Sequence, residues 1–322
     1  NAKATGYWFP RKERALSTAL FDSAAKFSNV IGVPMTALVV VHLGWRWGFG
    51  LTGVLSLFYF VAFWWIYRDP SQHPQLTPGE REYIAANGAT PDAPVPVRPS
   101  TMLAYLLTTR KVWGLSLGFA AYGYCLYFFL TWLPGYLVQT MHMSVLQSAG
   151  FTAIPWACAS VADLLVGGWL IDHLVSRGLD DTRVRKTVLL AGMCGGLAVF
   201  GAMSTRDPIV ATVWISIALS GLAAAAPVGW SLPSLIAPPG GTGTVGAIMN
   251  FANNMMGVAA PIITGYVIGR TQSFESAFLI AGLVLLVGMA CFVFLLGRIE
   301  PLPEPVSSRA VLESPVSSDH SL

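Results

Sequence analysis

Long, nearly charge-free runs alternate with short polar connections along the whole chain. A helix rises 1.5 Å per residue, so about 20 apolar residues cross the roughly 30 Å of bilayer hydrocarbon. Eight runs are long enough, at about residues 15–41, 47–67, 112–137, 148–171, 187–205, 208–236, 242–269 and 276–297. They predict an all-α polytopic membrane protein with eight transmembrane helices. The stretch from Arg68 to Lys111 is the one long polar connection. Within it, Thr77-Pro78-Gly79-Glu80 supplies an N-cap, a proline for the first helical position and a capping-box glutamate. A short surface helix over Glu80 to Ala86, stopped by Asn87-Gly88, follows from that pattern. Pro91 to Pro99 is too rich in proline for a helix and reads as a semi-rigid linker. A second interfacial helix, from Ser100 to about Arg110, leads into the third span. Residues 298–322, Ser/Pro/Glu-rich after Pro301, read as a disordered tail.

Composition agrees with the pattern. Hydrophobic residues make up 54% of the chain and charged residues 11%, with a mean hydropathy of +0.59, which excludes a soluble domain. The net charge of +3 is too small to suggest a nucleic-acid partner. Placement of the charges says more than their sum. Fifteen of the 19 Lys and Arg residues fall before Ala15, in 68–111, in 177–186 and in the tail, whereas Arg46, Arg206 and Arg270 alone fall in the alternate connections. By the positive-inside rule this places both termini in the cytoplasm, with the inner (plasma) membrane as the location. Cys125, Cys158, Cys194 and Cys291 lie in apolar segments at no metal-ligand spacing and read as small buried packers. The five histidines form no cluster, and no nucleophile, metal-ligand or phosphate-loop pattern appears, so the reading is not an enzyme and calls for no cofactor or metal. The chain opens on Asn1 without an initiator methionine and reads as the remainder of a longer one.

Two charges break the first span. Asp22 and Lys26 are four apart, on one helix face and in the favourable order for pairing. Lys26 falls about 16 Å into the hydrocarbon, near the midplane, where a charge costs on the order of 3 kcal/mol and usually serves a function. The other reading of the pair is a neutralised contact that holds two helices together. Asp163, toward the cytoplasmic end of its span, is the only other charge inside the membrane. Laying Ala19 to Pro34 over Ala247 to Pro261 shows an internal repeat in which Asp22 falls on Asn250 and Lys26 on Asn254. Secondary transporters with a site between two halves show such repeats. Asn254 lies about 18 Å deep, level with Lys26, and an ammonium and an amide at one depth suit a hydroxylated carboxylate; either asparagine alone also serves as interhelical glue.

Five stretches resemble the major facilitator superfamily, and within it the anion:cation symporter branch of sugar-acid and related organic-anion carriers. They are Trp8 to Ala15 (WFPRKERA), Gly44 to Pro74 (GWRWGF into YRDPSQHP), Tyr127 to Leu137 (YFFLTWLPGYL), Gly167 to Gly178 (GGWLIDHLVSRG) and Met249 to Tyr266 (MNFANNMMGVAAPIITGY). The resemblance implies two six-helix bundles joined in the cytoplasm. The eight spans here would match the fifth to the twelfth helix, so that the missing N-terminal helices would come from a longer chain. Residues 1–67 would then be the remainder of the first bundle, 68–111 the cytoplasmic linker, and 112–297 the second bundle. It further implies that Tyr124 and Tyr127 line the cavity, that Trp230 and Ser231 belong to the site on the tenth helix, and that Asp172 and Arg177 form a cytoplasmic gate in which the aspartate answers a helix N-terminus. His173 stands where the family has a basic residue, and Ala25 where its sugar-acid members place a glutamine.

The function expected from the resemblance and the polar residues is proton symport of a small organic anion, a sugar acid of the hexuronate, galactonate or glucarate type, by alternating access. Lys26 would anchor a carboxylate, Asp22 would be its partner and a proton acceptor, and Asn250, Asn254 and Tyr127 would orient the ligand. Asp163 would serve a gate, a proton path or a hydrogen bond in a close helix crossing. The alternatives are a carrier of aromatic or dicarboxylic acids, and a fragment that is inactive or depends on a partner.

Overall fold

The computed structural model describes residues 8–9, 14–68, 73, 76–86 and 99–304. The basic residues Arg11 and Lys12, the linker prolines 91–98 and the tail beyond 304 lie outside them. All regular structure among the described residues is helical, and all eight predicted spans are present. Spans α1 (Arg14–Leu43) and α2 (Trp45–Ile66) form a hairpin closed at Gly44, whose positive φ of 87° favours glycine. Two short helices follow, α3 (Pro78–Ala86) and α4 (Pro99–Thr108). The remaining spans are α5 (Arg110–Gln139), α6 (Val145–Ser176), α7 (Asp181–Met203), α8 (Pro208–Ile236), α9 (Thr242–Thr271) and α10 (Glu275–Leu295).

Capping chemistry sets several of these boundaries. Glu80 accepts from the Thr77 amide at 2.9 Å while the Thr77 hydroxyl accepts from the Glu80 amide at 3.3 Å, the reciprocal box expected from the sequence. The Thr77 amide and hydroxyl both donate to the exposed Glu80 carboxyl and hold it below its usual range. Ser144 and Gln147 build a second box at the start of α6. Asp180 caps α7, and Asp207, followed by Pro208, caps α8.

The core lies among α5 to α10. α5 is its axis, with α9 along one side and α10 along another, while α8 packs between α6 and α7. α1 leaves this group on one side, seated against α6 and the edge of α8, and α2 touches little besides α1. Large apolar side chains of α2, among them Phe49, Phe58, Trp64 and Trp65, are exposed, as suits a helix that meets lipid or further helices.

The tail begins differently from its expected disorder. Tyr105 donates to the Pro303 carbonyl at 2.9 Å, Lys111 to Glu300 at 3.2 Å and Thr182 to Ile299 at 3.3 Å, and the Leu302 amide donates to Ile236 at 2.9 Å. Residues 298–304 are thus stitched across the ends of four helices. Proline removes donors from this segment but not acceptors, and its free carbonyls find side chains there.

Candidate functional site

The seam between α1 and α6 is antiparallel and close. Leu16 faces Asp172, Ala19 meets Gly168, Ser23 accepts from Ser160 at 2.9 Å, and Lys26 reaches Asp163. Its closeness comes from Gly167 and Gly168. A Cβ on Gly168 would lie 2.6 Å from that of Ala19, and one on Gly167 would lie 2.7 Å from the Pro227 ring of α8. Side chains there would push α6 off both neighbours. The helix also changes to a π turn over Asp163–Leu170, a bulge often found at functional sites.

Lys26 ends in this seam with two carboxylates. Its Nζ lies 2.6 Å from Asp22 Oδ2 and 2.5 Å from Asp163 Oδ2. Side-chain exposure is 5% for Lys26, 17% for Asp22 and 0% for Asp163, so the cluster is sealed on the α6 side and opens narrowly at Asp22. The other oxygen of Asp163 is buried without a hydrogen-bond partner. Pairing of Lys26 with Asp22 follows from their spacing; pairing with Asp163 does not. Asp163 was expected toward the cytoplasmic end of its helix, but α6 runs on to Ser176. It therefore sits about 20 Å from that end, at the depth of Lys26.

A second polar group lies on α5 and α9. The Tyr127 hydroxyl donates to Asn254 Oδ1 at 3.3 Å, and Asn254 Nδ2 donates to the Asn250 carbonyl at 2.8 Å and to its Oδ1 at 2.9 Å. Both asparagines are exposed and Tyr127 is half-buried. Buried Tyr122, on α5, lies within electrostatic reach of both Tyr127 and the Lys26 cluster. No local spacing points to Tyr122, nor to Asn253, which is buried against Gly123 of α5 and locks α9 to its neighbour.

Other expected residues are placed elsewhere. Tyr124 is buried in the α5–α9 packing with Thr264 beside its hydroxyl, away from the open face. Trp230 is half-buried, its ring edge-on to Phe119 at 5.0 Å, and Ser231 accepts from Arg185 at 3.0 Å. In the motif expected to form a gate, Asp172 faces the Leu16 amide at the start of α1, but the cation that faces it is Arg185 of α7. Arg185 is also held by Asp181 at 2.7 Å. Arg177 is exposed at the end of α6, where the chain turns away from the seam before Gly178. His173 stacks on Trp169 with centroids 5.1 Å apart.

Comparison with known proteins fits this architecture. The family model described as Major Facilitator Superfamily matches residues 2–261 and 179–319. The chain is 41% identical over 300 residues to the uncharacterized transporter YybO of Bacillus subtilis, covering 93% of this chain and 69% of that protein. It is 30% identical over 310 residues to the probable galactarate/D-glucarate transporter GarP of Escherichia coli K12, with 93% and 69% covered. To a D-galactonate transporter of Escherichia coli O6:H1 it is 29% identical over 306 residues, with 93% and 70% covered.

Proposed function

The chain belongs to the major facilitator superfamily, and from that premise we propose that it carries a hydroxylated organic anion of the sugar-acid class, together with a proton, by alternating access. The observation that carries this reading is the exposed hydrogen-bond chain Tyr127–Asn254–Asn250 at mid-span. Amides at that depth are costly against hydrocarbon, so this face of α9 turns toward water or protein rather than lipid. A row of alternating donors and acceptors matches the hydroxyls of a sugar acid, and the ammonium of Lys26 supplies the charge for its carboxylate. Relatives named for galactarate, D-glucarate and D-galactonate support the same ligand class. Asp172, the start of α1 and Arg185 form the latch on the cytoplasmic side, with Asp22 as the Lys26 partner nearest the opening. The skewed Lys and Arg distribution supports a plasma-membrane orientation with both termini in the cytoplasm. α1 and α2 are read as part of one bundle and α5 to α10 as the other.

The test is uptake into proteoliposomes containing the full encoded chain, with an inward acid gradient and a panel of D-galactonate, D-glucarate, galactarate and an aromatic acid. Gradient-driven uptake of one or more sugar acids is expected. Asn254→Ala, which removes a neutral hydrogen-bonding group, should weaken apparent affinity by about two- to tenfold. Uptake of the aromatic acid alone, or of nothing by well-folded protein, would overturn the assignment.

A further inference from the structure

We infer that Asp163 is the site where the coupled proton binds, and that this proton decides whether Lys26 is held by the protein or released to the ligand. The inference rests on the carrier reading for its meaning but on the α1–α6 seam for its geometry. Two carboxylates share one ammonium there, at 2.6 and 2.5 Å. With all three groups ionised the cluster carries a net charge of minus one in a nearly dry seam. A proton from bulk water forms an O–H bond on Asp163, the lysine stays an ammonium, and the cluster becomes neutral.

Asp163 is favoured over Asp22 as the acceptor for two structural reasons. It is the fully buried member, and its Oδ1 has no hydrogen-bond partner, leaving an oxygen free to bear the hydrogen. The ionisable groups around it are Asp22 and Lys26 from α1, with Tyr122 of α5 near the same lysine. α8 meets this part of α6 through Pro227 and Ala224, neither of which titrates. Asp172 and Arg185 lie further along the seam, at its cytoplasmic end.

Coupling follows from competition. A lysine clasped by two carboxylates has little left to offer a third, whereas a protonated Asp163 gives up its ionic hold and leaves the ammonium for an incoming carboxylate. Proton and anion therefore strengthen each other's binding, by equal factors at equilibrium. The same proton loosens the one ionic tie between α1 and α6 at mid-depth, the seam that must part for the cytoplasmic side to open.

Two measurements test this. Infrared difference spectra of the wild-type protein, titrated from about pH 9 to about pH 5 without substrate, should show a protonated-carboxyl band whose frequency Asp163→Glu shifts and Asp22→Glu, which also keeps the charge, leaves in place. This readout needs no knowledge of the ligand. No such band in wild type, or a band that Asp22→Glu shifts, overturns the assignment even where Asp163→Glu fails to fold. In the second measurement, apparent affinity for D-galactonate or galactarate in wild type should fall by up to about tenfold per pH unit above the titration midpoint. In Asp163→Asn it should change less than about twofold over the whole range, and an acid gradient should no longer drive accumulation. An Asp163→Asn protein that still concentrates substrate against a gradient refutes the inference. Failure of wild type to bind either sugar acid, with the infrared band present, refutes the ligand class and leaves the proton site standing.

Discussion

Replacing Lys26 with methionine keeps the length of the side chain and deletes the one cation shared by Asp22 and Asp163. Removing one partner from a buried ionic network costs about 3–5 kcal/mol, because the remaining charges stay behind without compensation. Both bonds here are short and Asp163 is fully buried, which places Lys26→Met toward the top of that range. For a chain of this size about 1 kcal/mol corresponds to roughly 2 °C, so the melting temperature in detergent should drop by about 8–10 °C at pH 8. The sign of the pH dependence is fixed. Acid neutralises the stranded charges, so the deficit against wild type is largest at high pH and narrows as pH falls. The triple variant Lys26→Met, Asp22→Leu, Asp163→Leu removes every charge and should recover most of the loss, since well-packed apolar groups often replace buried ion pairs at little cost. Melting curves of the three proteins across pH provide the assay. A Lys26→Met protein within about 1 °C of wild type, or a triple variant no more stable than the single one, would refute the electrostatic account of the seam.

Two further outcomes are expected. Cysteines placed singly at Ser100 and His142 in a cysteine-free background should label from opposite faces of the membrane, Ser100 from the cytoplasm, given the distribution of Lys and Arg; labelling of both from one face would discard the orientation. Asp172→Asn weakens a charge at the start of α1 that is worth up to about 2 kcal/mol, so it should speed cytoplasmic labelling of a cysteine at buried Ser23 by up to about thirtyfold. Substrate binding should stay within a few-fold, and an unchanged labelling rate would remove Asp172 from the latch.

The eight spans, the capping box at Thr77 and Glu80, and the Asp22–Lys26 pair were all legible from the sequence, because each depends on local quantities: the length of an apolar run, a three-residue cap, a four-residue helical spacing. The Tyr127, Asn250 and Asn254 candidates also meet in space, with the Asn250–Asn254 spacing readable on one helix and the Tyr127 link needing the crossing of α5 and α9. What could not be read is which way each helix turns. Cys158 and Cys194, expected to be buried, are exposed, because lipid is as apolar as the protein interior and an outward position carries the same kind of side chain as an inward one. Tyr124 and Tyr127 are three residues apart, yet one is sealed in the core and the other faces the open side.

Hydropathy by itself determined the class of protein and its eight candidate spans, since an apolar run is counted in residues at 1.5 Å each, whereas the depth of Asp163 depended on where its helix ends. Tertiary structure alone decided the partners. Asp163 and Lys26 are 137 positions apart, and only the close approach of α6 to α1 at Gly168 puts a second carboxylate on that lysine. The choice of Arg185 over Arg177 to face Asp172 likewise depends on the packing of α7 beside the seam. Those pairings arise from helix rotation and crossing, which short-range spacing does not encode.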